Sequence, residues 1–399
     1  MIIQHLIDKT IRILFLLSVI SILISCGGAG GGGGSSGGSS SSPAGFTIYT
    51  IDNTNNVGMY TSIATGSVHI AYYDKDAGKI KYTSNTSGSW SSPIIIGSTT
   101  DPGLSTTITS IALDPSGNVH VAYYYNNLGR LIYTACPSTS NCTQADNWTA
   151  AVVDASADVG SDVSMTADLS DGIHISYYDA TNKDLKYAAC TSNCTNPANW
   201  KTVTVDNNLE RGEYTSIAVD SSNHIHISYY DADTDVLNGD LRYATCSSDC
   251  TNPDHPEYWT TIAVDSSGDV GYNSSIAVNA GRIHISYYDF DNGNLKYALC
   301  SSNCTQSSNW ATTTTDVPGD AGEYSSIALD SSSKVHISYY DKTNDKLKYA
   351  TNASGSWVTN TVDSASGTGE YSAISVDAGD TIHISYYDST NSALKYAVK

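Results

Sequence analysis

Glutamate and positive charge are both scarce in this 399-residue chain. Only 5 Glu stand against 35 Asp, and 19 Lys and Arg leave a formal net charge of −21. So negative a balance argues against nucleic acid or an anionic membrane surface as a partner, because the long-range electrostatic term is repulsive. Aspartate in that excess belongs to loops and turns rather than helices, and beyond the N-terminal leader no segment spaces its apolar residues helically. Arginine is scarce as well: after residue 12 it occurs only as Arg130, Arg211, Arg242 and Arg282, at dissimilar positions.

What is present begins with a leader. After Arg12 the chain runs ILFLLSVISILIS to Ser25, too short for a confident membrane span and the right length for the apolar region of a signal peptide. Residues 27–45 are almost entirely Gly and Ser, a flexible tether with nothing apolar to bury. The expected division is therefore a signal peptide over 1–25, a tether over 26–45 and a folded domain over 46–399. Eight cysteines remain in that domain, and an oxidising compartment fits their close pairing. Cys136/Cys142, Cys190/Cys194, Cys246/Cys250 and Cys300/Cys304 are expected as local disulfides. No histidine recurs beside them at zinc-ligand spacing, and loops this short contribute only about 2 kcal/mol each.

The folded part is a repeat. HISYYD occurs unchanged from His174, His226, His284, His336 and His383, with near copies HIAYYD from His69 and HVAYYY from His120, at intervals of 47 to 58 residues. A period near 50 marks a repeat architecture. Each unit reads as four short strands, for example GEYTSIAVD, HIHISYYD, LRYATC and WTTIAVD from Gly212 onward, rich in Tyr, Thr, Ile and Val and separated by turn formers. Four strands in each of seven units predict an all-β, seven-bladed β-propeller. The last unit stops after its third strand, at Lys399, while FTIYTID from Phe46 is an orphan fourth strand at the other end. If it completes the last blade, the ring closes and no sheet edge is left exposed. Trp90, Trp148, Trp200, Trp259, Trp310 and Trp357 each open a fourth strand, with Phe46 near the same place in the seventh. They are expected to fill the wedges between blades.

Symmetry then separates structure from chemistry. A histidine kept in seven blades cannot be the single base of one asymmetric reaction. With period two, His174, Ser176 and Tyr178 face one side of the strand and Ile175, Tyr177 and Asp179 the other, so the histidines are expected to tie one blade to the next. Aspartates ending the second and fourth strands should gather on one face and make it strongly acidic. Its loops offer calcium-like oxygens at Asp74 and Asp76, at Asp231, Asp233 and Asp235, and at Asp289 and Asp291, although none has the full twelve-residue loop; Asx-turns that close the loops explain the same residues. Departures from the repeat are the better ligand-binding candidates: Glu213, Glu323 and Glu370 ahead of the first strands of units four, six and seven, Tyr125 and Arg130 in unit two, and a longer loop with His224 and His255 in unit four.

Two resemblances add expectations. Leu23-Ile24-Ser25-Cys26 resembles the lipobox of bacterial lipoproteins, which implies cleavage before Cys26, lipidation of its thiol and anchoring in the bacterial cell envelope; Gly27 after it points to the outer membrane or cell surface. LDPSGNVHVAYYY from Leu113, followed by the strand RLIYTAC and Trp148, and VDSSNHIHISYYD from Val219, followed by the Arg-Tyr strand LRYATC and Trp259, resemble the repeats of bacterial sialidase-like propellers. That resemblance covers residues 46–399 and implies the scaffold alone; a glycan or protein ligand on the acidic face is the expectation from the surface. The Ser-x-Asp-x-Gly-x-Thr-Trp box of sialidases and their arginine triad are missing, and no asymmetric catalytic constellation stands in their place, which favours a surface binding module over a glycoside hydrolase or polysaccharide lyase; a structural adhesin or spacer is the third reading.

Overall fold

In the computed structural model, residues 39–42, 44–98, 108–208, 210–232, 238–317 and 319–399 are described; Cys26, most of the tether, Asp233 and Asp235 lie outside them. Seven antiparallel sheets follow one another along the chain. Blade four is representative: Arg211–Val219 innermost, then Ile225–Asp231, Asp240–Cys246 and Thr260–Asp265 outermost. The innermost strands touch in sequence around the molecule, and that of blade seven (Thr368–Val376) touches that of blade one (Val57–Ala64), so the ring is closed. Closure is made by Thr47–Asp52, which pairs with Ala393–Val398 as the fourth strand of blade seven. Ser40–Ser41 adds a short fifth strand outside it.

Every letter of HISYYD now has a place. The histidine does not bind blade to blade. Its Nδ1 meets the hydroxyl of the tyrosine on the third strand of its own blade, at 2.6 Å in six blades and closely also between His336 and Tyr349. The reason lies in register, since strands two and three bring those two side chains to the same face of one sheet. Blade-to-blade work falls to the rest of the motif. The serine hydroxyl reaches forward to the next innermost strand, as Ser176 to Thr215 at 2.9 Å and Ser228 to Ser274 at 2.8 Å. The first tyrosine reaches back, as Tyr177 donates to Asp154 at 2.8 Å and Tyr287 to Asp265 at 2.7 Å. The second reaches forward, as Tyr230 donates to Asp269 and Tyr387 to Asn56, both at 2.6 Å.

The aspartate that receives the first tyrosine ends the fourth strand of the preceding blade. A third-strand lysine meets it there: Lys81 on Asp52 at 2.7 Å, Lys186 on Asp154 at 2.6 Å and Lys296 on Asp265 at 2.5 Å. The same lysines lie 3.6 Å from Asp74 and 3.7 Å from Asp289, the final letter of the motif. In blade four Arg211 and Arg242 take the lysine's part between Asp206 and Asp231. The two sets of aspartates therefore do not make an acidic surface, because they are buried inside the seams beside their cations. Burial of these charges is tolerated because they are paired with a cation or, as Asp179 is by Thr181 and Asn182, hydrogen-bonded.

The fourth-strand aromatics fill the wedges as expected. Each packs against the third-strand tyrosine of the preceding blade, edge-on except for the tilted Tyr243–Trp310 pair, from Tyr82–Trp148 at 4.9 Å to Tyr187–Trp259 at 5.2 Å, and Phe46 packs edge-on on Tyr349 at 5.4 Å. Beyond burial, each such pair contributes about 1 kcal/mol. Four disulfides, Cys136–Cys142, Cys190–Cys194, Cys246–Cys250 and Cys300–Cys304, pin the outer hairpins of blades two to five. The indole N–H of the following tryptophan donates to the second cysteine's carbonyl, as Trp200 to Cys194 at 2.8 Å.

Candidate functional site

The innermost strands carry a recurring irregularity. In six blades a glycine at positive φ is followed two residues later by a non-glycine residue in the left-handed region: Tyr60, Asp162, Tyr214, Asn273, Tyr324 and Tyr371, with φ between 49° and 55°. The glycine is needed for close approach, since a Cβ on Gly212 would lie 2.7 Å from the backbone of Leu185 in the preceding blade. The residue two further on absorbs the resulting bulge, where the pairing register shifts. A bulky residue with that backbone is an outlier that its surroundings must hold in place.

These six residues converge near the axis. Ring centroids of Tyr60 and Tyr371 are 4.2 Å apart, and those of Tyr324 and Tyr371 4.6 Å. Equivalent groups that close in a sevenfold ring lie roughly 5 Å from its axis, so the tyrosines of blades six, seven and one narrow the channel. On the other side stand Asp162, Tyr214 and Asn273 of blades three to five. Asn273 accepts the Tyr324 backbone N–H at 3.0 Å. Burial, and then the Glu213 charge, push the Asp162 carboxyl up to about 7, against one backbone hydrogen bond from Tyr214.

The three predicted glutamates sit inside the first strands, not ahead of them, each between the glycine and the left-handed tyrosine. They form two groups. Glu323 and Glu370 occupy neighbouring blades; the Glu370 carboxyl is raised by burial, then by Asp345 and Glu323, and Glu323 takes the Lys342 ammonium at 3.1 Å. Glu213 belongs instead with Asp162. Tyr125 and Arg130 are brought together, as cross-strand partners closing the second hairpin of blade two, away from the innermost strands that carry the other candidates.

The described calcium candidates, Asp74, Asp76, Asp231, Asp289 and Asp291, make local hydrogen bonds or ion pairs. Asp74 accepts Asn55 Nδ2 and the Ala77 N–H, Asp76 the Asn56 N–H, and Asp291 the Asp269 N–H. Asp289 caps its own turn through Asn292, and Asp231 faces Arg211 and Arg242. Sequence reasoning missed Asp162 and the tyrosine cluster. The signal was the recurring Gly-x-[Tyr/Asp/Asn] at the head of six of the first strands, which only the backbone conformation sets apart from ordinary strand.

No family model and no curated protein matches the chain. Among solved structures, a protein of unknown function from Dyadobacter fermentans is 9% identical over 73% of this chain and 93% of its own, with a TM-score of 0.51. The Aleuria aurantia lectin in complex with Fucα1-6GlcNAc is 14% identical over 74% and 95%, with a TM-score of 0.49. The NanB sialidase of Streptococcus pneumoniae is 13% identical over 87% and 69%, with a TM-score of 0.47. At these identities the likeness concerns the fold alone.

Proposed function

We propose that the chain is a recognition propeller, displayed from the cell envelope by a lipid on Cys26 and binding a glycan or protein ligand across the channel mouth. The left-handed tyrosines support this reading. Strain of about 1–3 kcal/mol at each such residue persists where function uses the geometry. Tyr60, Tyr324 and Tyr371 offer aromatic surface beside Glu323 and Glu370, and aromatic faces next to carboxylate acceptors suit a polyhydroxylated ligand. The repeat's own histidines, tyrosines and aspartates are consumed in the blades and seams, which favours binding over catalysis. Screening the purified chain on a glycan array, with and without calcium, tests this: bound glycans lost on Tyr371→Ala or Glu370→Gln are expected, and an empty array removes the glycan reading.

One observation favours a second reading. Asp162, pushed toward 7 beside Glu213, resembles the arrangement in which one carboxyl stays protonated to act as acid and another stays ionised. Release of sugar from a bound glycan, abolished by Asp162→Asn, would establish hydrolysis.

A further inference from the structure

At the ends of the innermost strands opposite the glutamates, hairpins lead into the second strands, and in two seams a serine ties one hairpin to the next. The serine holds a carboxylate with both of its donors. The Ser116 N–H and Oγ meet the two oxygens of Asp171 at 3.1 and 2.6 Å, and those of Ser331 meet the two oxygens of Asp380, both at 2.7 Å. Asp171 and Asp380 each stand three residues before the second-strand histidine, in the left-handed region at φ of 65° and 61°. Blades four and five keep one half of this device. Ser221 stands five residues before His226, as Ser331 does before His336. Its turn is a copy of the other: the Ser222 and His224 N–H groups donate to Asp220 Oδ1 as those of Ser332 and Lys334 do to Asp330 Oδ1. The other half is missing, because the place of Asp380 is taken in blade five by Gly281, at φ 74°.

Ser221 and Gly281 instead line a cavity of about 210 Å3. A Cβ added to Gly281 would meet nothing within 4 Å, so the room for the missing side chain is open. Val219 and Val278 give the cavity apolar wall, as does Leu169, which stands at the serine's position in blade three. Asp168 and Asp220 line it too, but their oxygens are taken by turn N–H groups and by His174 and His224. Asp330, held in the same way, lies beside Ser331 without preventing its grip on Asp380. Arg282, exposed and next in the chain to Gly281, gives the blade-five hairpin a positive charge where Asp380 gives that of blade seven a negative one. Hydrogen bonds from two donors to one carboxylate are of the strong, charge-assisted kind, and a concave apolar wall with a few placed polar groups is how small ligands are held.

We propose that this cavity binds a small organic carboxylate, with the carboxylate on the Ser221 N–H and Oγ and its apolar body against Leu169, Val219 and Val278. The site is separate from the channel mouth of the tyrosines and glutamates, and stands or falls without it. The full chain, titrated with butyrate and followed by saturation-transfer NMR, should bind it and should leave butyramide, of the same shape without the charge, unbound. Ser221→Ala should weaken binding by about tenfold or more. Gly281→Asp, which brings a carboxylate from the chain itself, should abolish it, and Ser331→Ala, at a seam already tied, should leave it as it was. No binding of butyrate, butyramide bound equally well, or binding undiminished in both the Ser221 and the Gly281 variant overturns the proposal.

Discussion

The seam between blades four and five and the seam between blades one and two solve one packing problem in different ways. In the first, Asp265 ends a fourth strand and receives Tyr287 at 2.7 Å and Lys296 at 2.5 Å, with Asp289 close behind. In the second, Gly97 occupies the place of Asp265, Ile132 that of Lys296 and Tyr125 that of Asp289. The Tyr123 hydroxyl stands so near Gly97 that an added Cβ would meet it at 2.6 Å. Three positions, 97, 125 and 132, have changed as a set. The lesson is that a charged clip inside a seam is kept whole or dropped whole, since a buried charge without its partner is what folding cannot tolerate.

That comparison can be broken at its strongest point by Asp265→Ala, which takes from buried Lys296 its nearer carboxylate and from Tyr287 its acceptor, leaving only Asp289 at 3.7 Å. It should cost about 3–5 kcal/mol, read as a lower urea midpoint. Ile132→Lys puts the same charge into the seam that has no acid. A loss of about 3 kcal/mol is expected, and adding Gly97→Asp, whose Cβ must displace the Tyr123 ring, should recover part of it; a double variant no better than the single would refute the linkage.

Acid separates the clip from the histidines, which both seams share. His69 and His284 are held down to about 4 by burial, so the folded state keeps them neutral while the unfolded chain takes up protons below 6.5. Stability should fall from pH 6.5 to about 4, in parallel for the native chain and Asp265→Ala. Asp265 titrates below its ordinary 3.8, held there by Lys296, Ser267 and Tyr287 against the opposing effect of burial. Its contribution is complete above 3.8 and lost as pH falls further, so the two unfolding curves should converge only in that lower window. Smallest of all, Arg130→Ala at the hairpin beside the clipless seam should change stability by no more than about 0.5 kcal/mol. A larger loss would mean that Arg130 carries part of what the clip does elsewhere.

Much of this was legible in the residues. The period, the four strands per unit, the closing role of Phe46 to Asp52 and the wedge position of the tryptophans follow from pattern, because a repeat writes its packing requirement seven times. The histidine's partner was not legible. His174 shares a face with Tyr178 in its own strand, but its contact is Tyr187, thirteen residues on, and only strand register decides whether that tyrosine belongs to the same blade or the next. The acidic face failed for a similar reason, since the lysines that neutralise it are a strand away and enter the same seams.

The sequence by itself determined the architecture, its closure and the positions at which one blade departs from another, since these depend on local periodicity and on comparison between copies. Only the tertiary structure decided what the departures mean. Tyr125 became part of a missing clip, Asp162 and Glu213 became neighbours across a seam, and Gly281 left a cavity open beside Ser221. Each of these depends on which side chains meet across adjacent strands or blades, and that is fixed by register and ring closure rather than by spacing along the chain.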